Sequence, residues 1–224
     1  MQEAARSAVG RKARPWTVDD AFVAGQHDRV RRAAARLIDA DPGDVALISS
    51  VAYGVATAAK VLDIPKGSRV LVIENDHSSP ELEWMTRCAA QGFTVETVPT
   101  PADGDWTAAM LAAIDRPGAA PLALASFSSV HWSDGGIVDV ARLAPRFKAH
   151  GAKWLVDHTH GAGILEFDVG RLDPDFVIYP TYKWLLGPYG RAFLYIARRH
   201  QGGIPLEQTS HGRVAVKADS RVYL

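Results

Sequence analysis

Short apolar segments alternate with helical patterns along most of this chain. The predicted strands are almost continuously apolar and cover residues 45–49, 69–74, 93–98, 121–127, 153–157, 175–180 and 192–198. Apolar spacing between them predicts helices at 28–40, 52–63, 80–91, 105–115 and 139–150. Strands that are apolar on both faces are typical of a parallel sheet covered by helices on both sides. The pattern predicts an α/β fold, a three-layer α/β/α sandwich with a mostly parallel sheet.

The charge balance argues against several classes of protein. The chain has 25 Lys and Arg residues and 25 Asp and Glu residues, which disfavours a nucleic-acid partner or a membrane surface. No apolar run approaches the roughly 18 residues of a membrane span, and no secretory signal is visible. The single cysteine, Cys88, excludes an internal disulfide framework and a cysteine-based zinc cluster. We therefore expect a cytoplasmic enzyme or binding protein.

Polar and aromatic residues concentrate after the carboxyl ends of the predicted strands. Open parallel sheets bind their ligands at this edge. The residues concerned are Ser50, Ala52, Tyr53, Gly54, Asp76, His77, Ser128, Ser129, His131, Trp132, Asp157, His158, His160, Thr181, Tyr182 and Lys183. Their distribution predicts one ligand site along one edge of the sheet.

The segment VDHTHGAG, residues 156–163, allows more than one kind of site. On a continuing strand, His158 and His160 would share one face and could bind the zinc ion of a metal-dependent hydrolase. Asp157 would then point the other way, and no spacing in the sequence defines the remaining ligands. The glycines at 161 and 163 lack the third glycine of a dinucleotide fingerprint. The segment PKGSR (65–69) lacks the spacing of a phosphate-binding P-loop and precedes a predicted strand. A metal site stays the less favoured alternative, and neither nucleotide motif is complete.

Lys183 indicates a covalent cofactor site. It follows the predicted strand 175–180 and is flanked by aromatic residues, unlike a typical surface lysine. A lysine that forms a Schiff base needs a dry pocket, and pyridoxal phosphate also needs an acid beside its pyridinium nitrogen. Asp157 closes the strand 153–157. If the two strands are neighbours, about 5 Å apart, both residues can reach a single small ring.

The predicted helix that starts near residue 52 provides an anion site. Its free N–H groups and dipole would bind a phosphate. Ser49 or Ser50 would cap this helix. Gly54 would let the backbone come close to the phosphate.

With these residues in place, the chain resembles the class V aminotransferase family. These are fold-type I pyridoxal-phosphate enzymes that include cysteine desulfurases and isopenicillin N epimerase-like proteins. The segments that carry the resemblance follow one another in the family's order: ALISSVAYGVATAA (46–59), ENDHSSPELEW (74–84), SSVHWSDGGIVDV (128–140), WLVDHTHGAG (154–163) and IYPTYKWLLGPYGRAFLYI (178–196). The resemblance implies the type I transferase large domain, with its last strand antiparallel to the others.

The resemblance also implies a role for each matched residue. Lys183 would form the Schiff base with pyridoxal 5'-phosphate and shuttle the substrate's alpha-proton, Asp157 would pair with the pyridine nitrogen, and His77 would stack on the ring. The other implied cofactor contacts are the backbone N–H groups of Ala52 and Tyr53 and the side chain of Tyr182 at the phosphate, and His160 with His131 or Trp132 near the 3-hydroxyl.

The chain departs from the family pattern in two segments and in length. Pro180 replaces a common serine before the lysine segment, and Tyr53 replaces the usual threonine of the phosphate turn. The resemblance implies an N-terminal helical arm at residues 1–20 and a cofactor-binding large domain at 21–200. Residues 201–224 would begin a connection to a small C-terminal domain that is largely missing.

The leading hypothesis is a pyridoxal-phosphate-dependent, aminotransferase-like enzyme that acts on an amino acid as a homodimer. One alternative is a truncated homologue that binds the cofactor poorly and has no turnover. The other is the metal-dependent hydrolase using His158 and His160. Cys88 gives no support for desulfurase activity, because it falls within a predicted helix.

Overall fold

One seven-stranded sheet runs through the computed structural model, which describes residues 2–207. Its strands are β1 (Val45–Ile48), β2 (Arg69–Ile73), β3 (Thr94–Val98), β4 (Leu122–Ser128), β5 (Lys153–Asp157), β6 (Phe176–Pro180) and β7 (Ala192–Ile196). Their order in space is β1-β7-β6-β5-β4-β2-β3. All neighbours from β6 to β3 pair in parallel, and β7 is antiparallel to both β6 and β1. The mostly parallel sheet and its antiparallel last strand are as expected.

Helices cover both faces of this sheet. They are α1 (Gln2–Lys12), α2 (Asp20–Arg36), α3 (Val51–Val61), α4 (Ser78–Gln91), α5 (Trp106–Ile114), α6 (Val140–His150) and α7 (Val169–Leu172). One apolar core joins the sheet to α2, α5 and α6 through residues such as Trp106 and Phe147. A second core joins the opposite face to α3 and α4 through Val55 and Trp84. The three-layer sandwich is therefore confirmed. Within residues 2–207, no helix combines the length and the apolar character needed to cross a bilayer.

Two helices differ from the sequence prediction. Helix α2 begins at Asp20, well before residue 28, because Asp19 caps it by accepting the Phe22 N–H at 2.7 Å. Only Ala34 and Ala35 are buried in this helix, so apolar spacing does not reveal its first turns. It ends at Arg36 rather than at 40, and Asp39 adopts the left-handed conformation with φ 51°. The short helix α7 was not predicted, since four residues are too few for a periodic signal.

The order of the strands separates chain neighbours. From β1 at one edge, the chain crosses to β2, continues outward to β3, and returns to β4 on the other side of β2. It then proceeds through β5 and β6 to β7, which pairs with β1. The direction of progress thus reverses between β2 and β4. In open α/β sheets, such a reversal leaves a crevice at the carboxyl ends of the strands, where ligands bind.

Gly54 has a packing role rather than the predicted phosphate role. A Cβ atom at this position would lie 2.8 Å from Ile178 Cδ1 and 3.1 Å from Ile48 Cδ1. These side chains belong to β6 and β1, so the glycine lets α3 lie close against the sheet. The close approach is between helix and strand.

We expect Gly54→Ala to destabilise the fold, because the added methyl group has no room between α3 and the sheet. Overpacking of this kind costs about 1–3 kcal/mol in the free energy of unfolding. The matched control is Gly25→Ala in α2, where a Cβ would meet no atom within 4 Å. That substitution should be neutral or stabilise by up to about 1 kcal/mol, because alanine is the better helix former. Urea unfolding followed by circular dichroism measures both, and equal effects would contradict the packing role.

Candidate active site

The predicted site residues lie at the carboxyl ends of the strands. All strands except β7 run in the same direction, so the segments after β1, β2, β4, β5 and β6 meet at one edge of the sheet. The sequence prediction of a single edge is met by the geometry. The contacts of each residue show which of them remain available to a ligand.

Asp157 is the most unusual of these residues. Its side chain ends the central strand β5 and is 2 % exposed. Its Oδ1 accepts hydrogen bonds from the backbone N–H of Thr159 at 2.9 Å and from the Thr159 hydroxyl. Among residues 2–207, no hydrogen bond reaches its Oδ2.

The surroundings of Asp157 favour its protonated form. Burial raises the pKa of this carboxyl to about 7, and the nearby charge of Asp76 also raises it. The hydrogen bonds from Thr159 and the Lys183 ammonium act in the opposite direction. Asp157 is therefore an acid poised near neutral pH, with one oxygen free for a partner.

Lys183 lies on the loop between β6 and β7. Its ammonium is near enough to Asp157 and His160 to lower the pKa of both side chains. Its Nζ lies 5.9 Å from the centroid of the Tyr182 ring. The side chain is exposed, so the described residues do not enclose it in the dry pocket that was expected. The loop turns sharply, with Leu186 at φ 54° and its N–H bonded to the Lys183 carbonyl at 3.1 Å.

Lys183 and His77 both lie near His160. Burial lowers the pKa of His160, and the charges of Lys183 and His77 lower it further. Its buried Nδ1 has no hydrogen-bond partner in the described part of the chain. His77 is exposed at the start of α4, and its backbone N–H donates to Asp76 Oδ1 at 2.7 Å. The indole N–H of Trp184 donates to the His160 carbonyl at 2.9 Å, which ties the lysine loop to the segment after β5.

The start of α3 is the expected anion site, with one correction. Ser50 caps the helix by accepting the Tyr53 N–H at 3.1 Å, so this N–H is not free for a phosphate. The Ala52 N–H lies in the first turn and has no partner within residues 2–207. The pKa of the Tyr53 hydroxyl is raised by burial and then by Glu207, which lies beside it. Ala52 therefore meets the expectation better than Tyr53.

Tyr182 lies beside the lysine in an aromatic pair. Its ring stacks on Tyr189 with a centroid distance of 4.3 Å. Burial raises the pKa of the Tyr182 hydroxyl, and the charge of Asp157 raises it further. This residue thus belongs to the same cluster as Asp157 and Lys183, as the sequence implied. Its predicted phosphate contact stays a prediction.

His131 has a structural role instead of the predicted role beside the ring's 3-hydroxyl. Its Nε2 bonds to the Glu74 carbonyl at 3.0 Å, and its Nδ1 bonds to Asp134 Oδ1 at 3.0 Å. The ring is buried and stacks on Trp106 at 4.6 Å. No ring nitrogen is left for a cofactor, because the protein itself satisfies both.

Trp132 lies next to His131 but remains accessible. Its indole N–H donates to the Asn75 carbonyl at 2.6 Å, while 54 % of the side chain is exposed. His131 and Trp132 thus connect the loop after β4 to the loop after β2 through hydrogen bonds to two backbone carbonyl groups.

The H-x-H pair does not form a metal site. Strand β5 ends at Asp157, so the alternation of a strand does not continue through the two histidines. His158 is buried against Phe167 and bonds through Nδ1 to Ser129 Oγ at 2.7 Å. Burial lowers its pKa to about 4. Residues 2–207 contain no group of three or more His, Cys, Asp or Glu side chains that could hold a metal ion. The metal-hydrolase alternative therefore has no structural support.

Asp76 was not among the predicted cofactor residues, although it follows β2 directly before His77. It is 7 % exposed and accepts the Ser128 N–H at 2.8 Å and the Ser128 hydroxyl at 2.5 Å. The sequence signal was its position between a strand end and a predicted ring-stacking residue.

A groove of about 720 Å³ runs along β1 near the start of α3. Ser49, Tyr53, Arg191 and Glu207 line it, whereas Asp157 and Lys183 do not. The groove is thus adjacent to the acid–lysine cluster and distinct from it.

We expect Asp157→Asn to stabilise the protein, without added ligand, above pH 7. The folded-state pKa of Asp157 is raised from 3.8 to about 7, so its contribution to stability is present below pH 4 and is lost as pH rises through 7. At about 1.4 kcal/mol per pH unit, the loss is on the order of 4 kcal/mol. Asparagine has no such proton to lose. Unfolding by urea at pH 4 and pH 8 tests this, with the exposed Asp63→Asn as control. An Asp157→Asn gain that is the same at both pH values would contradict the assigned titration.

Known proteins share this sequence pattern. A family model described as Aminotransferase class-V matches residues 19–222. Isopenicillin N epimerase from Streptomyces clavuligerus is 30% identical over 173 residues, which are 75% of this chain and 42% of that protein. A cysteine desulfurase from Salmonella typhimurium is 28% identical over 173 residues with the same coverage. The chain thus spans about two fifths of the length of these curated relatives, 42% in each case.

Solved structures share the fold. The cystine C-S lyase C-DES, in complex with its product cysteine persulfide, superposes with a TM-score of 0.78 at 25% identity, over 93% of this chain and 56% of the lyase. A mutant of the same lyase with glycine covalently linked to its PLP cofactor gives a TM-score of 0.77 at 23% identity, over 95% and 59%. The family match covers most of the sequence and the fold agrees with it, so this chain belongs to the class-V aminotransferase family.

Proposed function

We propose that this chain is the cofactor-binding part of a pyridoxal-phosphate-dependent enzyme that acts on an amino acid. Lys183 would hold the cofactor covalently as a Schiff base. The observation that carries the proposal is the buried carboxyl of Asp157, which has a free oxygen and lies near the Lys183 amine. A buried carboxylate needs a cationic partner, because its ionisation is otherwise costly. A protonated pyridine nitrogen is a partner of this kind.

Further unpartnered groups at this edge fit the same cofactor. Within residues 2–207, the His160 Nδ1 and the Ala52 N–H have no hydrogen-bond partner. A ring hydroxyl matches the first, and a phosphate matches the second, because a helix N-terminus binds anions. Together with Asp157 and Lys183, these groups would provide one partner each for the ring nitrogen, the ring hydroxyl, the phosphate and the aldehyde of pyridoxal phosphate. These residues would not serve a metal ion, which requires several converging ligands.

Each residue has a distinct task in this proposal. Pyridoxal phosphate, when bound, supplies an electron-withdrawing ring that makes the substrate's alpha-proton acidic. Asp157 keeps a proton at the ring nitrogen, and the amine of Lys183 accepts the alpha-proton and returns it. The start of α3 binds the phosphate, and His77 covers one side of the ring. Thr159 orients Asp157 through its two hydrogen bonds to Oδ1.

The substrate class is proposed from the relatives, which are named isopenicillin N epimerase, cysteine desulfurase and cystine C-S lyase. We propose that the substrate is an amino acid, and the proposal covers each of the reaction types that these relatives are named for. A second candidate is a homologue that binds the cofactor poorly and has no turnover. The exposure of Lys183 supports it, because a solvated amine is not held for proton transfer.

Lys183→Ala tests the covalent site. After incubation with pyridoxal phosphate and borohydride, the parent chain should carry one phosphopyridoxyl group on the peptide that contains Lys183, and the variant should carry none. The control Lys148→Ala removes an exposed lysine of α6 and should label as the parent does. Mass spectrometry of the digest measures both. A labelled Lys183→Ala variant, or an unlabelled parent, would refute the proposal.

The same preparation separates the two candidates. A cofactor absorbance that changes when amino acids are added supports the enzyme, and an absorbance that does not change supports the homologue without turnover. The labelled residue decides the cofactor site, and the response to amino acids decides turnover.

We also propose that the chain forms a homodimer in the cytoplasm. Large apolar side chains are exposed on the lysine loop: Trp184, Leu186 and Tyr189. An apolar patch of this kind is typical of a protein interface. Light scattering should give twice the mass of the chain, and Trp184→Glu should shift the equilibrium towards the monomer, whereas Val9→Glu, an exposed position on α1, should not. A monomeric parent would contradict the dimer.

A further inference from the structure

A second buried carboxylate, Asp76, lies beside Asp157 at the reversal point of the sheet. Its Oδ2 accepts the Ser128 N–H at 2.8 Å. Its Oδ1 accepts both the Ser128 hydroxyl at 2.5 Å and the His77 N–H at 2.7 Å. Asp76 thus joins the loop after β2 to the last residue of β4, across the place where the progress of the chain through the sheet reverses.

The contact with β4 extends to the proposed cofactor acid. Ser128 is the register partner of Asp157 in the β4–β5 pair. The next residue, Ser129, donates its N–H to the Asp157 carbonyl at 3.0 Å. Asp76, Ser128 and Asp157 therefore form a row across three adjacent strand ends, with a carboxyl group at each end of the row. A displacement of Asp76 would move both the end of β4 and the backbone of His77.

The hydrogen bonds distinguish the two carboxyl groups. Burial raises the pKa of both, but Asp76 accepts three donated hydrogen bonds over its two oxygens, and these lower its pKa and favour the carboxylate. Asp157 has donors on Oδ1 alone, and its pKa is raised to about 7. The pattern therefore favours the carboxylate at Asp76 and the proton at Asp157.

Other charged groups face the pair from every neighbouring segment. Lys183 and the Tyr182 hydroxyl face Asp157 from the lysine loop. His131 faces Asp76 from the loop after β4, and Glu81 faces it from α4. Lys183 lowers the pKa of Asp157 and His131 lowers that of Asp76, whereas the charge of Asp76 raises the pKa of Glu81. A single substitution at Asp76 removes its negative charge from this group of charges and leaves the Asp157 side chain unchanged.

We propose that Asp76 is a positioning residue of the cofactor site, which fixes the end of β4 and the backbone of His77, and whose negative charge retains a proton at Asp157. This inference rests on the proposed function in one respect: in the loaded protein, the retained proton is the one shared by Asp157 and the ring nitrogen. In the protein without cofactor, it is the proton of Asp157 itself. The charge of Asp76 acts in the same direction in both states, because a nearby anion disfavours the loss of a proton.

Asp76→Asn is the deciding variant. It replaces the charge with a neutral side chain of the same shape. In the protein without cofactor, the carboxyl carbon of Asp157 is followed by NMR against pH, and its resonance is assigned by its loss in Asp157→Asn. The midpoint should fall by on the order of one pH unit. In the protein loaded with pyridoxal phosphate, the pH midpoint of the cofactor absorbance should fall in the same direction.

The matched control is Asp175→Asn. Asp175 is also 2 % exposed and accepts several hydrogen bonds, but it lies at the opposite end of the strands, where it bonds to the Trp154 N–H at 2.8 Å. This variant should lose stability without moving either midpoint. Asp76→Glu keeps the charge and should restore a midpoint close to that of the parent. If Asp76→Asn does not fold, Asp76→Ser provides a second neutral side chain.

The outcomes separate this inference from the proposed function. A parent chain that takes up no cofactor refutes the proposed function, and the NMR titration without cofactor still decides the role of Asp76. An unchanged midpoint in the neutral variants overturns the inference. An equal shift in Asp175→Asn also overturns it, because the effect would then be a general consequence of lost stability.

Discussion

The burial of the Asp157 carboxyl is the constraint on which the rest of the site depends. An ionised carboxylate that is removed from water without a cationic partner is costly, so the group either keeps a proton or receives a partner. Here the strand end excludes water, Thr159 occupies one oxygen, and the other oxygen remains available. The same residue is therefore expected to lower the stability of the protein above neutral pH, and in the proposed function it would pair with a protonated ring nitrogen. The trade between stability and binding is expected at functional sites.

The sheet places this acid where several segments converge. The progress of the chain reverses between β2 and β4, next to β5, and the hydrogen bonds between Asp76 and Ser128 join the two sides of this reversal. The lysine loop comes from the neighbouring strand β6. Residues that are far apart in the chain thus lie close together because their strands are adjacent. Each of them follows the carboxyl end of its strand.

Backbone carbonyl groups hold the loops together at this edge. Trp184 bonds to the carbonyl of His160, Trp132 to that of Asn75, and His131 to that of Glu74. Among residues 2–207, the His160 Nδ1 and the Ala52 N–H in the first turn of α3 remain without a hydrogen-bond partner. Large aromatic residues near the site therefore position loops as often as they offer rings to a ligand. This accounts for the difference between His131, which is fully satisfied, and His160, which is not.

Most of the strands and helices were predictable, because their patterns are local. Apolar runs located every strand to within about two residues, and of the two serines expected to cap α3, Ser49 and Ser50, the structure selects Ser50. The early start of α2 was missed, since its first turns bury nothing. The cofactor family was recognisable from the order of its segments. The prediction that Asp157 and Lys183 lie in one site needed only the assumption that their two strands are neighbours in the sheet.

What the sequence by itself determined was the α/β class, the family and the chemical types at the strand ends. Only the tertiary structure decided which of those groups are free to bind. Gly54 packs α3 against the sheet, both ring nitrogens of His131 are bonded within the fold, His158 is bonded to Ser129 through Nδ1, and Asp76 becomes the neighbour of Asp157. The physical reason is that burial, hydrogen-bond partners and nearby charge arise from strand order, and residues distant in the chain set that environment for one another.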